Sequence, residues 1–97
     1  MVTITINGKE IEMTEIKARL WREIMAFEDK RADLPVMEAF DETCRIIAVA
    51  FGVTVDEVLD NLEIEDILPK YFEVSNAVVV KLTEKLGKKN ADAAAQI

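Results

Sequence analysis

The sequence predicts a mainly α protein of the α+β kind: a small bundle of about four helices preceded by a β-hairpin. Three observations carry this. Residues 2–13, VTITINGKEIEM, alternate apolar and polar residues around an Asn-Gly pair. Later segments repeat apolar residues at three- and four-residue spacing. Pro35, Gly52, Pro69 and Gly87 punctuate those segments where helices tend to start or stop. The 97 residues suit a single domain.

The hairpin is the strongest local signal. Asn7-Gly8 suits a type I′ turn, whose two central residues both need positive φ. A two-residue loop sets Ile6 opposite Lys9, Ile4 opposite Ile11 and Val2 opposite Met13. Val2, Ile4, Ile6, Ile11 and Met13 then share one side, and Thr3, Thr5, Glu10 and Glu12 the other. A lone hairpin is marginal in water, so this one lies either on the chain's own helices or on another chain's strands.

Thr14 is placed to cap a helix from Glu15 to Asp29, with Ile16, Leu20, Ile24 and Phe27 on its apolar side. Trp21 and Met25 lie one step round from that stripe, as core edge or as exposed contact. A polar loop, EDKRAD, follows. Pro35 opens the next helix, which runs to Phe51 and stops at Gly52, a residue suited to a left-handed C′ position. Its half CRIIAVAF is apolar almost all round, marking the most buried helix. Thr54 and Glu57 form a capping box for a short helix, Val55 to Asn61, with Val55, Val58, Leu59 and Leu62 as its apolar face. After LEIED a long helix begins, with Pro69 near its start and Gly87 at its end. Ile64, Ile67, Leu68, Tyr71, Phe72, Ser75, Val78, Val79, Leu82 and Leu86 form its stripe, widened by Val74 and Val80. A stripe this wide is either all intrachain core or shared with a second partner from another subunit. Residues 88–97, KKNADAAAQI, lack apolar periodicity and read as a mobile tail. The domain is then 1–87, with no repeat or second domain.

Composition excludes several functions. Nineteen acids against 12 bases give a net charge of -7. Phosphate backbones and anionic membranes repel such a surface, so neither nucleic acid nor membrane is an expected partner. No apolar run approaches the ~20 residues of a membrane helix, and no leader pattern follows Met1. One cysteine, Cys44, leaves no intramolecular disulfide and suits a reducing cytoplasm.

Chemistry is equally sparse. There is no histidine, which removes the commonest general base and metal ligand. Cys44 reads as a small buried hydrophobe rather than a nucleophile. No glycine-rich phosphate loop or Cys/His metal spacing occurs. Glu10/Glu12 and Glu63/Glu65/Asp66 are better explained as solvated, dipole-complementing acids than as a catalytic pair. No catalytic, cofactor or metal site is therefore expected, and no enzyme. An acyl-carrier reading fails because the single serine, Ser75, sits in VSNA rather than Asp-Ser-Leu. A helix-turn-helix reading of AFGVTVDEVLDNLEIEDILP (Ala50–Pro69) fails on charge, since the second helix opens on Glu63, Glu65 and Asp66.

With those readings set aside, the element order is informative. An opening NGKEIE hairpin, a helix, an apolar helix ending in AFG, and VTVDEVLDNL leading into EIEDILPKYFEV resemble the tail assembly chaperones of long-tailed bacteriophages. The likeness spans about residues 2–87. It implies a non-catalytic protein of phage or prophage origin in the host bacterial cytoplasm. Such a protein binds the aggregation-prone tape measure protein, keeps it soluble and helps recruit tail tube subunits. It is absent from the finished virion. Many such proteins also have a longer form made by frameshifting, for which GKKN, Gly87–Asn90, is a candidate site; a gene without a slippery heptamer or overlapping frame there would remove that idea. The family supplies no diagnostic binding residues. Physically, a holding chaperone needs apolar surface and solubilising charge. Trp21, Met25, Tyr71, Val79 and Val80, at the edges of their stripes, are the candidate partner-binding residues, with self-association also expected. Val80→Asp is expected to weaken association more than it unfolds the monomer. The alternative is a small acidic protein-interaction adaptor, such as a secretion-type chaperone or an antitoxin-like inhibitor.

Overall fold

In the computed structural model, β1 (Thr3–Ile6) and β2 (Lys9–Glu12) form an antiparallel hairpin. Four helices follow: α1 (Ala18–Lys30), α2 (Val36–Phe51), α3 (Val55–Asn61) and α4 (Ile64–Ala95). The structure describes the backbone of residues 2–14 and 16–95, and side chains through residue 84. The protein is thus a small mainly α bundle with an N-terminal β-hairpin.

The hairpin has the register that its turn dictates. Asn7 and Gly8 take φ of 52° and 78°, as a type I′ turn requires. Ile6 faces Lys9 and Ile4 faces Ile11. Ile4 and Ile6 are buried, while Thr5, Glu10 and Glu12 are exposed. The hairpin lies on helices of its own chain. The Asn7 amide donates to Asn61 Oδ1 at 2.7 Å, and Lys70 Nζ donates to the Thr3 carbonyl at 2.7 Å. Helices α3 and α4 therefore hold both ends of β1.

Helix α1 starts later than its sequence suggests. Thr14 does not cap it; its amide instead meets the Ala50 carbonyl at 3.4 Å. That bond ties the chain leaving β2 to the end of α2. Helix α1 begins at Ala18, with Lys17 as N-cap and no side-chain cap bond. Glu15 lies outside the described residues. Leu20, Ile24 and Phe27 are buried, as their spacing predicts. The expected EDKRAD loop is instead the last turn of α1 and a 3₁₀ turn, Arg31–Asp33.

Helix α2 is the central element. Pro35 is its N-cap and Gly52, at φ 69°, its left-handed C-cap. Between Thr43 and Phe51 only Arg45 and Val49 escape burial. Cys44 is completely buried, and burial pushes its thiol pKa up. Helix α3 carries the predicted capping box: Thr54 Oγ1 accepts from the Glu57 amide at 3.1 Å, and Glu57 Oε1 accepts from the Thr54 amide at 2.9 Å. Its packing is narrower than predicted. Val58 is fully buried, Val55 and Leu62 are half-buried, and Leu59 is exposed.

Helix α4 differs from expectation at both ends. It begins at Ile64, inside LEIED, which leaves Pro69 in its second turn. A tight first turn, with the Asp66 amide on the Glu63 carbonyl at 2.9 Å, initiates it. It does not stop at Gly87 but continues to Ala95. A mid-helix glycine costs about 1 kcal/mol relative to alanine, less than a run of lysines and alanines can offset. The expected tail, 88–97, falls where side chains, and for 96–97 the backbone, lie outside the described residues.

Candidate functional site

Each helical residue advances about 100° around the axis. On α4 this puts Ile67, Tyr71, Val74 and Val78 on one side, and all four are buried. The adjoining side carries Ile64, Leu68, Phe72, Val79 and Leu82, all exposed, with Phe72 at 53% and Val79 at 43%. Half-buried Ser75 sits among them. The predicted wide stripe is therefore two stripes, one covered by α1 and α2 and one open. From Ile64 to Leu82 the open stripe is about 27 Å long, at ~1.5 Å per residue.

The boundary between covered and open sides is fixed by an aromatic and ionic cluster. Phe27 meets Tyr71 edge to face, with centroids 5.8 Å apart at 89°. Tyr71 Oη donates to Glu28 Oε2 at 2.5 Å. Arg31 Nη1 donates to both oxygens of the same carboxylate, at 3.0 and 2.9 Å. The Arg31 guanidinium lies within 5.7–5.9 Å of the Phe27, Tyr71 and Phe72 ring centroids. Burial, then the Glu28 carboxylate, push the Tyr71 hydroxyl well above the usual phenol range; Ser75 and Arg31 oppose them. The hydroxyl stays protonated and donating across ordinary pH. Phe72 is left against Arg31 on one side and open on the other.

Shallow hollows mark the ends of the open stripe. One, of about 320 Å³, is lined by Arg31, Phe40, Ile64 and Leu68 between α2 and α4. The other, of about 290 Å³, is lined by Ala18, Trp21, Val78 and Leu82 between α1 and α4. Charge is sorted around the same axis. Asp66 and Glu73 lie on the far side of α4, Glu73 beside Lys70 at 3.4 Å, whereas the Lys81–Glu84 pair, at 3.4 Å, lines the second hollow. Along the open border stand Pro69, Asn76 and Thr83, with Glu65 at the N-terminal end. Thr83 turns its hydroxyl back to the Val79 carbonyl at 3.1 Å.

The five candidate residues divide. Val79 is on the open stripe. Trp21 and Met25 are half-buried on the side of α1 that faces α4, at the stripe's margin. Tyr71 is a correction: at 1% exposure it is core, beneath the surface it was expected to edge. Val80 is exposed but points away from the stripe, toward a hollow of about 340 Å³ shared with Val2, Met13 and Ile16. The open-side residues that the sequence merges with the core are Ile64, Leu68, Phe72 and Leu82. The available signal was the arc itself, about 160° wide where one helical neighbour needs ~100°.

The carboxylates singled out in the sequence (Glu10, Glu12, Glu63, Glu65, Asp66) are all exposed. Among the described residues no group of three or more potential ligands is placed to hold a metal ion. No helix among them is long and apolar enough to cross a membrane. A partly buried ionic contact joins α1 and α2: Arg45 binds Glu42 and Glu23, and holds the Glu42 carboxyl below its usual range. Comparison with protein-family models, with curated proteins and with solved structures finds no match to this chain.

Proposed function

We propose that this chain is a non-catalytic assembly chaperone of the long-tailed phage type. It binds helical segments of a tape measure protein, keeps that client soluble in the host cytoplasm, helps recruit tail tube subunits and leaves before the virion is complete. The observation that carries the reading is the open stripe of α4. A rigid helix presents five apolar side chains over about 27 Å, the length of roughly 18 helical residues. Anchors three, four and seven residues apart on one side are the pattern by which amphipathic helices engage one another. A net charge of -7 supplies the other requirement, keeping the complex dissolved while apolar surface is shared. The resemblance in element order, from NGKEIE to EIEDILP, supports this client among helical ones.

Co-expression tests it. The long helical protein encoded beside this one is produced with and without the chain, then captured by affinity tag. Gain of soluble client and co-purification are expected, with loss of both on Phe72→Glu. A client indifferent to this chain removes the reading and leaves the adaptor alternative. A neighbourhood lacking a major tail protein upstream and a very long helical frame downstream does the same.

A further inference from the structure

We infer that the free edge of β2 takes up an antiparallel third strand from a partner protein, an extended segment in which lysine or arginine alternates with apolar residues. The hydrogen bonds of the hairpin show which groups are free. The Met13 amide donates to the Val2 carbonyl at 3.0 Å, so that pair bonds across the ladder. Bonded and non-bonded pairs alternate in an antiparallel ladder. Ile4–Ile11 and Ile6–Lys9 therefore bond as well, while Thr3–Glu12 and Thr5–Glu10 turn their amides and carbonyls outward. On β1 the helices use that outward side: the Thr3 carbonyl accepts from Lys70, and the Asn7 amide donates to Asn61. On β2 nothing does. The amides and carbonyls of Glu10 and Glu12 have no hydrogen-bond partner among the described residues. Burial marks the same flank. Ile4 and Ile6 are buried, whereas Ile11 and Met13 are only half-buried. Two outward donors and two outward acceptors on alternate residues call for an extended occupant, since a helix has already spent its backbone groups on itself.

Charge selects which strand. The Glu10 and Glu12 side chains are exposed on one face, and neither meets a cation among the described residues. In an added antiparallel strand, the residues that bond to them stand directly opposite, with Cα atoms about 5.5 Å apart and side chains on that same face. Opposite charges in such pairs stabilise and like charges destabilise. A second copy offering its own β2 would set glutamate against glutamate, within a chain that already carries -7. The edge thus keeps its backbone open while rejecting its own kind, and a basic strand is the one it favours. On the opposite face, the residue between the two cations lies beside Ile11 and the next beside Met13, so both are apolar. Read along β2 from Met13 to Glu10, the partner's pattern is apolar, basic, apolar, basic.

This contact goes beyond the chaperone reading and shares no residue with the open stripe of α4. Its test titrates the isotope-labelled full chain with the peptide acetyl-Thr-Val-Lys-Val-Lys-Val-Thr-amide, followed by two-dimensional NMR. Saturable shifts and slowed hydrogen exchange are expected at the Glu10 and Glu12 amides, with a Kd of about 0.1–1 mM. The same peptide with glutamate for both lysines should bind at least about tenfold more weakly. So should a peptide methylated on both lysine amide nitrogens, which keeps its charge and loses its strand bonds. The double variant Glu10→Lys, Glu12→Lys should melt as the wild type does and reverse the preference, taking the glutamate peptide about tenfold better than the lysine peptide. It should do so although the chain stays acidic overall.

No shift at up to about 5 mM peptide overturns the inference. Equal binding of the methylated peptide, or shifts spread over other acidic faces, reduces the contact to charge attraction and also overturns it. Shifts at the same amides on concentrating the chain alone would place a second copy on the edge, with the same consequence. Client capture on α4 is read by a different assay, so the two ideas stand or fall separately.

Discussion

The two sides of α4 are made of the same kinds of residue and have different fates. Ile67, Tyr71, Val74 and Val78 are closed under α1 and α2; Ile64, Leu68, Phe72, Val79 and Leu82 are open. Tyr71 and Phe72, adjacent in sequence and both under Arg31, differ from 1% to 53% exposure. Hydrophobicity assigns both to a stripe, and only the placement of neighbouring helices separates stability from availability. An apolar arc wider than one neighbour can cover carries two functions, and mutations should divide along the same line.

The largest effect belongs to the covered side. Tyr71→Ala removes a buried ring, its edge-to-face contact with Phe27 and the only donor at the Glu28 carboxylate from α4 among the described residues. A loss of about 3–5 kcal/mol is expected by urea denaturation, enough to threaten the fold. Loss of association without loss of stability would break the distinction between the two sides.

Tyr71→Phe isolates the hydroxyl. Removing a hydrogen bond to a carboxylate is expected to cost about 1–2 kcal/mol. It should also change the alkaline limb of stability. The folded pKa of Tyr71 is raised, so above about pH 10 the unfolded chain gives up its proton first. Fewer protons on the unfolded chain mean stability falls as pH rises; the contribution is complete below that pH and lost above it. The melting temperature of the wild type should therefore drop more steeply between about pH 9 and 11 than that of Tyr71→Phe. Parallel curves would mean the hydroxyl is not held protonated.

A smaller effect lies in the element whose sequence most directly states its structure. Thr54→Ala breaks the capping box of α3 and should cost about 1 kcal/mol, read as a shift of the denaturation midpoint at constant slope. Helix α3 is seven residues long and held mainly by Val58, so fraying there should also free Asn61 from the Asn7 amide. Hydrogen exchange at Asn7 reports that link directly.

These cases show what was legible. Asn7-Gly8 fixes a register because few turns accept positive φ twice. The Thr54–Glu57 box and Gly52 state their helix ends in local chemistry. The start of α1 was not legible, because Thr14 is claimed by Ala50, far along the chain, rather than by its own helix. Gly87 misled because a propensity penalty is small beside a long favourable run. At the surface, the width of the α4 arc was readable but its division was not. Which half is covered depends on where α1 lies, and that is set partly by the Glu28–Arg31–Tyr71 cluster. The Glu28–Arg31 pair sits in a segment, EDKRAD, whose polarity reads as loop. Val80 falls at the stripe's edge in the sequence for the same reason, a position on a helix having no side until its neighbours are known.

The smallest expected change in stability makes the sharpest test of the comparison. Val79→Asp and Val80→Asp introduce the same charge at consecutive, exposed positions, at 43% and 57%. Neither removes core, so each should alter stability by about 0.5 kcal/mol or less, and Val80→Asp should not unfold the monomer. Their effects on association should nonetheless diverge. Val79 lies on the open stripe, and a carboxylate there must be desolvated without a partner when the face is covered. Val80 is turned about 100° away, beside Val2 and Met13, where a charge stays in water. Val79→Asp should abolish client capture in the co-expression assay, while Val80→Asp leaves it within a few-fold of wild type. Equal loss from both would extend the binding surface round to the open end of the hairpin. Equal tolerance would remove the stripe as the binding face, since no arrangement that buries Phe72 and Leu82 against a partner leaves Val79 in water.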